Sequence, residues 1–561
     1  MPTADPSNPD ARKAKAGHFI SAARVFTVLT FVSRIFGLVR DSVFYAVFGR
    51  TIVSDAFEIG FRVPNLFRRL FGEGALTSAL IPVLTEYDAS DDPEKRQAGL
   101  YLIHAVVTLT TMLLAAITIV IELGILLFWF DWSGRDPKTC LFAGLTALML
   151  PYVILVCLVA LGSAVLNVRG RFVEQASAPI ILNVCNILTA AVIAPIFSSN
   201  PETQIFIMGG SVLVAGVLQL LLILRALAVR GILLKWRFDL THPGVRRVMW
   251  LMAPMILPLA VIQINTLMDA VMAEYFTRAA GPDGSVHYLL GLTIPRVLEN
   301  GAVAALSVAS RIYEMPLGVF SVAFATAIFP ALSRHAAAND KPGLADTLRR
   351  GLQMSLLIAI PATAGLCLLR TELVRAILQY GQFKAGDTEI VAGTMAVFAA
   401  GLAAFTMVQL LTRAFYALKQ VRRPVQIAVL MVLLNLPLNV GFVLLLKSPA
   451  GLALSTTLCA FLQATWLGLL LRRQLGLMGG RRIVRSLTQT LIGTALMAGA
   501  IIAVQHFLGD WPIVPAARGP MKVMLHGTNV LIPTAIGVIV FYLANRFLKN
   551  EALHDLLSKE K

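Results

Sequence analysis

Long apolar runs alternate with short polar stretches along the whole chain. Fourteen runs approach or exceed the roughly 20 residues that a helix needs to cross a bilayer. They fall at 22–48, 53–87, 98–129, 139–167, 173–198, 204–229, 245–277, 299–333, 350–369, 387–417, 424–446, 450–471, 484–507 and 523–545. This pattern predicts an all-α, polytopic membrane protein of 14 transmembrane helices, with little chain left for a water-soluble domain. The second and eighth runs are too long for one crossing and contain Pro64, Pro82, Pro316 and Pro330. Proline removes a helical N–H and crowds the preceding turn, so both runs are expected to be broken helices.

Loop charge sets the orientation. With a cytoplasmic N-terminus, 30 of the 48 lysines and arginines flank the cytoplasmic ends of the runs, 11 flank the opposite ends and seven lie inside runs. This is the positive-inside bias, and gaining or losing one crossing would scramble it downstream. Both termini are therefore expected on the cytoplasmic side. Composition agrees: 57% of residues are hydrophobic and 14% charged, against roughly 25% charged in soluble domains. The net charge of +17 resides in these loops and does not call for nucleic acid. Residues 1–20 read as a disordered cytoplasmic tail, because the apolar run that follows is too long, and too charged, for a cleavable signal core. The five cysteines are dispersed through apolar segments, with neither a disulfide framework nor metal-ligand spacing.

Two copies of a six-helix unit are visible. Gly74–Tyr87 resembles Val322–His335: Ala75, Ala79, Pro82 and Leu84 fall on Ala323, Ala327, Pro330 and Leu332. Six crossings are even, so both copies share one orientation, a parallel repeat about an axis along the membrane normal. The expected organisation is an N-lobe at 21–230, a C-lobe at 244–475, two further helices within 482–548 and a cytoplasmic tail at 549–561.

Charge inside the runs carries the functional signal. Arg34, Arg40, Arg62, Arg68, Arg69, Arg311 and Arg413 all lie within them. A cation at bilayer depth costs roughly 2.5–3.5 kcal/mol on insertion scales, so these groups must face water, counter-charges or an anionic ligand. Arg34, Gly37 and Asp41 share one helical face and Arg40 points elsewhere; Asp55, Glu58 and Arg62 share another. Beyond Pro64, Arg68, Gly72, Ala75 and Ala79 form one stripe. Intramembrane salt bridges are one reading: Arg34 or Arg40 with Asp55 or Glu58, and Arg69 with Glu73. Yet five arginines in the first two runs meet four carboxylates (Asp41, Asp55, Glu58, Glu73), and Arg311, beside Glu314, adds a cation from the second copy. A diphosphate would complete this set, since guanidinium forks bind phosphate oxygens in pairs.

A second cluster is polar. Asp269 lies deep in the seventh run, Asn435 and Asn439 are one turn apart in the eleventh, and Ser455, Thr456 and Thr457 sit in the twelfth. Their oxygens suit either hydrogen bonds between helices or a hard cation such as Na⁺. No nucleophile motif, P-loop, acidic metal cluster or histidine ligand spacing is present, which argues against an enzyme or an ATP-driven pump.

Four segments are recognisable: SRIFGLVRD (Ser33–Asp41), SDAFEIGFRVPNLFRRLFGEGA (Ser54–Ala75), SRIYEMPLGV (Ser310–Val319) and QYGQF (Gln379–Phe383). They closely resemble signatures of the MurJ (MviN) lipid II flippase family, of the multidrug/oligosaccharidyl-lipid/polysaccharide exporter superfamily. The resemblance extends from about residue 20 to the last run. It implies two six-helix lobes around a cationic cavity, plus two C-terminal helices that form a groove for a polyprenyl tail. It places substrate binding on Arg34, Arg40, Arg68 and Arg311, with Ser33, Asp41, Asp55, Arg69, Glu73 and Glu314 supporting or gating. Some members hold sodium in the C-terminal lobe, and Asp269, Asn435, Asn439 and Ser455 or Thr456 resemble that site, although Asn439 stands where a member presents an acid. The implied protein is a monomeric alternating-access flippase of the bacterial inner membrane. It has no cofactor, takes lipid II as its partner, and has Na⁺ or H⁺ as candidate coupling ion. The alternative is an exporter of another lipid-linked oligosaccharide or of drugs. The Arg278–Asn300 stretch looks longer than usual for the family and has no evident role.

Overall fold

The computed structural model describes residues 9–72, 74–129, 137–278, 286–289, 292–318, 322–476, 479–509 and 520–557. Its first helices are α1 (Pro9–Phe48), α2 (Ile52–Phe67), α3 (Ala75–Asp88), α4 (Pro93–Trp129) and α5 (Pro137–Met149). Then come α6 (Tyr152–Val168), α7 (Val173–Leu188), α8 (Ala194–Phe197), α9 (Pro201–Ala228) and α10 (Pro243–Tyr275). A short antiparallel hairpin, β1 (Val286–Leu289) with β2 (Leu292–Pro295), precedes α11 (Ala302–Pro316), α12 (Val322–Ala337) and α13 (Lys341–Leu368). The chain continues through α14 (Arg370–Leu378), α15 (Ala385–Ala400), α16 (Leu402–Ala417), α17 (Arg422–Leu446) and α18 (Ala450–Leu475). It ends with α19 (Gly480–Gly509), α20 (Pro520–Phe547) and α21 (Glu551–Leu557).

Each of the fourteen apolar runs lies over one helix or over consecutive helices. Among the described residues, ten helices are long and apolar enough to cross a membrane, or eleven if α15 and α16, bent by 41°, form one span. The second and eighth runs are broken, as their prolines predict. α2 passes into a π-helical turn, Arg68–Gly72, before α3 begins at Ala75. Likewise α11 passes into π-type residues at 317–318 before α12. The repeat is therefore a repeat of backbone interruption as well as of small residues.

One expectation needs correction, and two stretches gain local structure. Helix α1 starts at Pro9, inside the stretch read as a disordered tail. The C-terminal tail contains α21, whose Ala552 and Leu553 bury against Leu357 of α13. The 278–300 stretch departs from the all-α pattern: β1 pairs with β2, and Thr277 bridges Leu298.

The chain divides into two compact units, Met1–Leu267 and Met268–Lys561. This division falls inside α10 and not in the loop before it. Val245 and Val248 explain why: they join the unit 1 core formed by Leu80 and Val83 of α3, Leu102 of α4, Leu161 of α6 and Leu227 of α9. Small residues bring these helices close; a Cβ on Gly162 would come within 2.3 Å of Ile223 Cγ2. Unit 2 packs Leu332, Leu348, Leu410, Phe415, Leu467 and Leu471 together. Helix α19 packs along α13 and α20, and α14 meets α20.

A polar clasp closes the end of unit 2. Arg349 of α13 is only 2% exposed. It donates to Asp346 (2.7 Å), Gln353 (2.7 Å) and Glu551 of α21 (3.4 Å). Gln353 in turn donates to the Arg482 carbonyl of α19 at 3.0 Å.

Two predictions follow from local geometry. A Cβ on Gly74 would sit 2.3 Å from the Arg69 carbonyl oxygen and 2.8 Å from that of Leu70. Gly74→Ala should therefore cost about 1–3 kcal/mol of stability by overpacking, whereas Gly210→Ala, inside α9 where a Cβ meets nothing within 4 Å, should raise the unfolding midpoint slightly, because Ala is the better helix former by about 1 kcal/mol. Asp340 caps α13 through the Gly343 amide (2.9 Å), and His335 Nδ1 lies 2.8 Å from its other oxygen. The Gly343 hydrogen bond first, then that of His335, hold its carboxyl below the usual 3.8. The cap's contribution is complete above that ordinary value and is lost as pH falls through the lower folded value. Unfolding midpoints on acidification should therefore fall less steeply for Asp340→Asn than for the wild type.

Candidate functional site

In unit 1, α1 and α2 supply most of the intramembrane charge. Arg40 reaches its sequence neighbour Asp41, with Nη2 at 2.6 Å and Nε at 3.0 Å from Asp41 Oδ1. The two were read as lying on different faces; the flexible guanidinium stem folds back and overrides helical phase. Asp41 is buried and the Arg40 side chain is 18% exposed, so the pair is largely shielded from water. Arg34 is half-buried and makes no ion pair or side-chain hydrogen bond among the described residues. The Ser33 carbonyl accepts from Asn183 Nδ2 of α7 at 3.2 Å, fixing this stretch of α1.

Asp55 of α2 is fully buried and Glu58 nearly so. Tyr45 of α1 donates its hydroxyl to Glu58 Oε1 at 3.0 Å. Arg62 donates to the Thr266 carbonyl of α10 at 2.7 Å. The salt bridges expected between Arg34 or Arg40 and Asp55 or Glu58 are not formed: Arg40 takes Asp41, and Glu58 takes Tyr45.

Arg68 opens the π-helical turn and donates twice to Asn65 Oδ1, at 3.0 and 2.7 Å. A π turn winds more slowly than an α-helix and Pro64 precedes it, so the stripe expected from Arg68 through Gly72 to Ala79 is cut. Ala75 and Ala79 are fully buried on α3, beyond the break. Arg69 makes no ion pair among the described residues, and Glu73, its expected partner, lies outside them.

Arg311 belongs to unit 2. It is half-buried on α11, while Glu314 is exposed and forms no ion pair among the described residues. Nearby Tyr313 stacks on Phe398 of α15 and Phe405 of α16, with ring centroids 4.8 and 5.5 Å apart, which pins α11 in place.

The second cluster converges within unit 2 as its residue types suggested. Asn439 Nδ2 donates to Asp269 Oδ1 at 2.8 Å and to Asn435 Oδ1 at 2.7 Å. Asn435 Nδ2 donates to Thr456 Oγ1 at 3.3 Å, and Thr456 Oγ1 to Asp269 Oδ2 at 3.1 Å. Ser455 Oγ donates to Asn439 Oδ1. Asp269, Asn435, Asn439 and Ser455 are all buried. Five oxygen-bearing side chains with one formal charge suit a hard monovalent cation in kind. As arranged they do not fit a resident one, because an amide nitrogen stands between the carboxylate and the other amide oxygen. Among the described residues, no group of three His, Cys, Asp or Glu could hold a metal ion.

Two participants were missed in the sequence. Tyr45 lies one turn beyond Asp41, and Asn65 one turn before Arg68; both spacings were available, but neither residue is charged. The Arg349 clasp was hidden because it joins elements 202 positions apart.

Helices that cross a membrane, intramembrane cations and a buried polar cluster together define a polytopic membrane transporter. A profile of the lipid II flippase MurJ family matches residues 44–515. The chain belongs to the lipid II flippase MurJ family. It is 32% identical over 499 residues to a probable lipid II flippase MurJ from Vibrio cholerae, covering 88% of each chain. It is 31% identical over 525 residues to one from Rhizobium tropici, covering 92% of each. It is also 30% identical over 490 residues to the lipid II flippase MurJ of Burkholderia cenocepacia, covering 86% of this chain and 89% of that one. Among solved structures, an inward closed lipid II flippase MurJ shares the fold at TM-score 0.69 and 21% identity, over 95% of this chain and 99% of that one. An inward-facing multidrug resistance MATE family transporter shares it at TM-score 0.63 and 14% identity, over 81% of this chain and 98% of that one.

Arg34 and Arg40 should separate function from stability. Arg34→Ala removes no ion pair or side-chain hydrogen bond among the described residues, and its stability should stay within about 0.5 kcal/mol of wild type. Arg40→Ala strips a partner from a buried carboxylate and should cost about 1–3 kcal/mol, below the figure for a wholly buried pair because Arg40 is partly exposed. Thermal unfolding of the purified variants checks the contrast.

Proposed function

We propose that this chain is a flippase for lipid II, the undecaprenyl-diphosphate-linked disaccharide-pentapeptide from which peptidoglycan is built. It carries this lipid from the inner to the outer leaflet of the bacterial cytoplasmic membrane by alternating access, as a monomer with both termini in the cytoplasm. It is a transporter and not an enzyme.

The observation that carries this reading is the family match across residues 44–515. Arg34 supports it physically. A half-buried guanidinium inside a membrane helix, unpaired among the described residues, is costly unless an anion arrives to meet it. The diphosphate supplies that anion in the geometry a guanidinium fork favours. Arg40, Arg68 and Arg311 are the further proposed contacts to diphosphate or peptide carboxylates. Ser33, Asp41, Asp55, Arg69, Glu73 and Glu314 support or gate them, and α19 and α20 carry the polyprenyl tail.

Cells depleted of their own flippase test the proposal. The wild-type chain should restore growth and outer-leaflet lipid II. A triple variant, Arg34→Ala, Arg68→Ala and Arg311→Ala, should fail to do so at unchanged membrane abundance. Rescue by the triple variant would remove the assigned residues from the site. A wild-type chain that inserts yet leaves lipid II on the inner leaflet would remove the function itself.

A further inference from the structure

The four hydrogen bonds around Asp269 form a closed ring. Asn439 donates to Asp269 and Asn435, Asn435 donates to Thr456, and Thr456 donates back to the second oxygen of Asp269. Both N–H groups of the Asn439 amide are used, and Ser455 satisfies its oxygen. The orientation of that amide follows from the network. Turned over, its oxygen would face Asp269 Oδ1 and Asn435 Oδ1 at 2.8 and 2.7 Å, two acceptors with no hydrogen between them. With Asp269 ionised, a cation among the three oxygens is what would make that orientation favourable.

We infer that the Asn439 amide stands where a cation would otherwise sit, so that this cluster is self-satisfied and binds no sodium. Asn439 is thereby the residue that sets the cluster's ion requirement. The physical reasoning is direct. A buried carboxylate must be met by donors or by positive charge. Asn439 and Thr456 supply three hydrogen bonds inside the ring, two of them to Asp269. A carboxylate at position 439 would instead delete two N–H donors and place a second negative charge within contact distance of Asp269. A small hard cation then becomes the natural way to hold the two together.

The test uses the purified full-length protein and reads its thermal unfolding midpoint while sodium chloride replaces choline chloride at constant ionic strength. Anything that binds the folded state alone raises the midpoint in a saturable way. The wild type should show no sodium-specific rise, and Asn439→Asp should acquire one. A saturable sodium-specific rise in the wild type would overturn the inference. So would a folded Asn439→Asp protein that ignores sodium, since Asn439 would then not be what sets the requirement. If Asn439→Asp does not fold, the wild-type titration still decides. Because the readout is unfolding, the result is independent of which cargo the protein moves.

Discussion

Each ionised group within the membrane must be answered by a partner, by water or by a ligand, and this requirement organises the chain. Asp41 is answered by Arg40, Glu58 by Tyr45, Arg62 by a backbone carbonyl and Asp269 by amide and hydroxyl groups. These are local solutions, several of them made with neutral groups. Arg34, half-buried in α1, forms no ion pair among the described residues. Architecture that would be wasteful in a structural protein is consistent with one that must receive an anionic headgroup and release it again.

The same requirement accounts for the backbone breaks. A regular helix repeats its faces every few residues, so charges placed along it would rotate into lipid. The π turn after α2 changes that rotation at Arg68, and the corresponding interruption after α11 follows Arg311 and Pro316. Both units thus place an arginine within a few residues of a discontinuity. Irregular backbone at membrane depth is tolerated where it is buried in protein or lines a polar space, which makes these two points the structurally special ones in the sequence.

Much of this was legible without coordinates. Hydropathy located every long helix, and Pro64 and Pro316 announced the breaks. Asp269, Asn435, Asn439, Ser455 and Thr456 were grouped by residue type although 187 positions separate Asp269 from Thr456. What failed was finer. Helical phase misplaced Arg40, because a long side chain reaches well away from its own Cα. Phase failed again at Arg68, because a π turn leaves no mark in hydropathy. Charge counting overlooked Tyr45 and Asn65, since a neutral partner satisfies an ion without altering the tally. The hairpin in the 278–300 stretch was unreadable for a related reason: four-residue strands are too short to establish a period.

The clasp around Arg349 has a consequence for biosynthesis. That guanidinium sits in the N-terminal part of α13, yet one of its acceptors, Glu551, is translated some two hundred codons later. Gln353 on the same helix likewise waits for the Arg482 carbonyl. During synthesis α13 therefore carries a guanidinium whose bond to Glu551 cannot form until α21 has been translated. The clasp can close only after α21 has been translated, so a polypeptide that stops short of α21 leaves that end of α13 open.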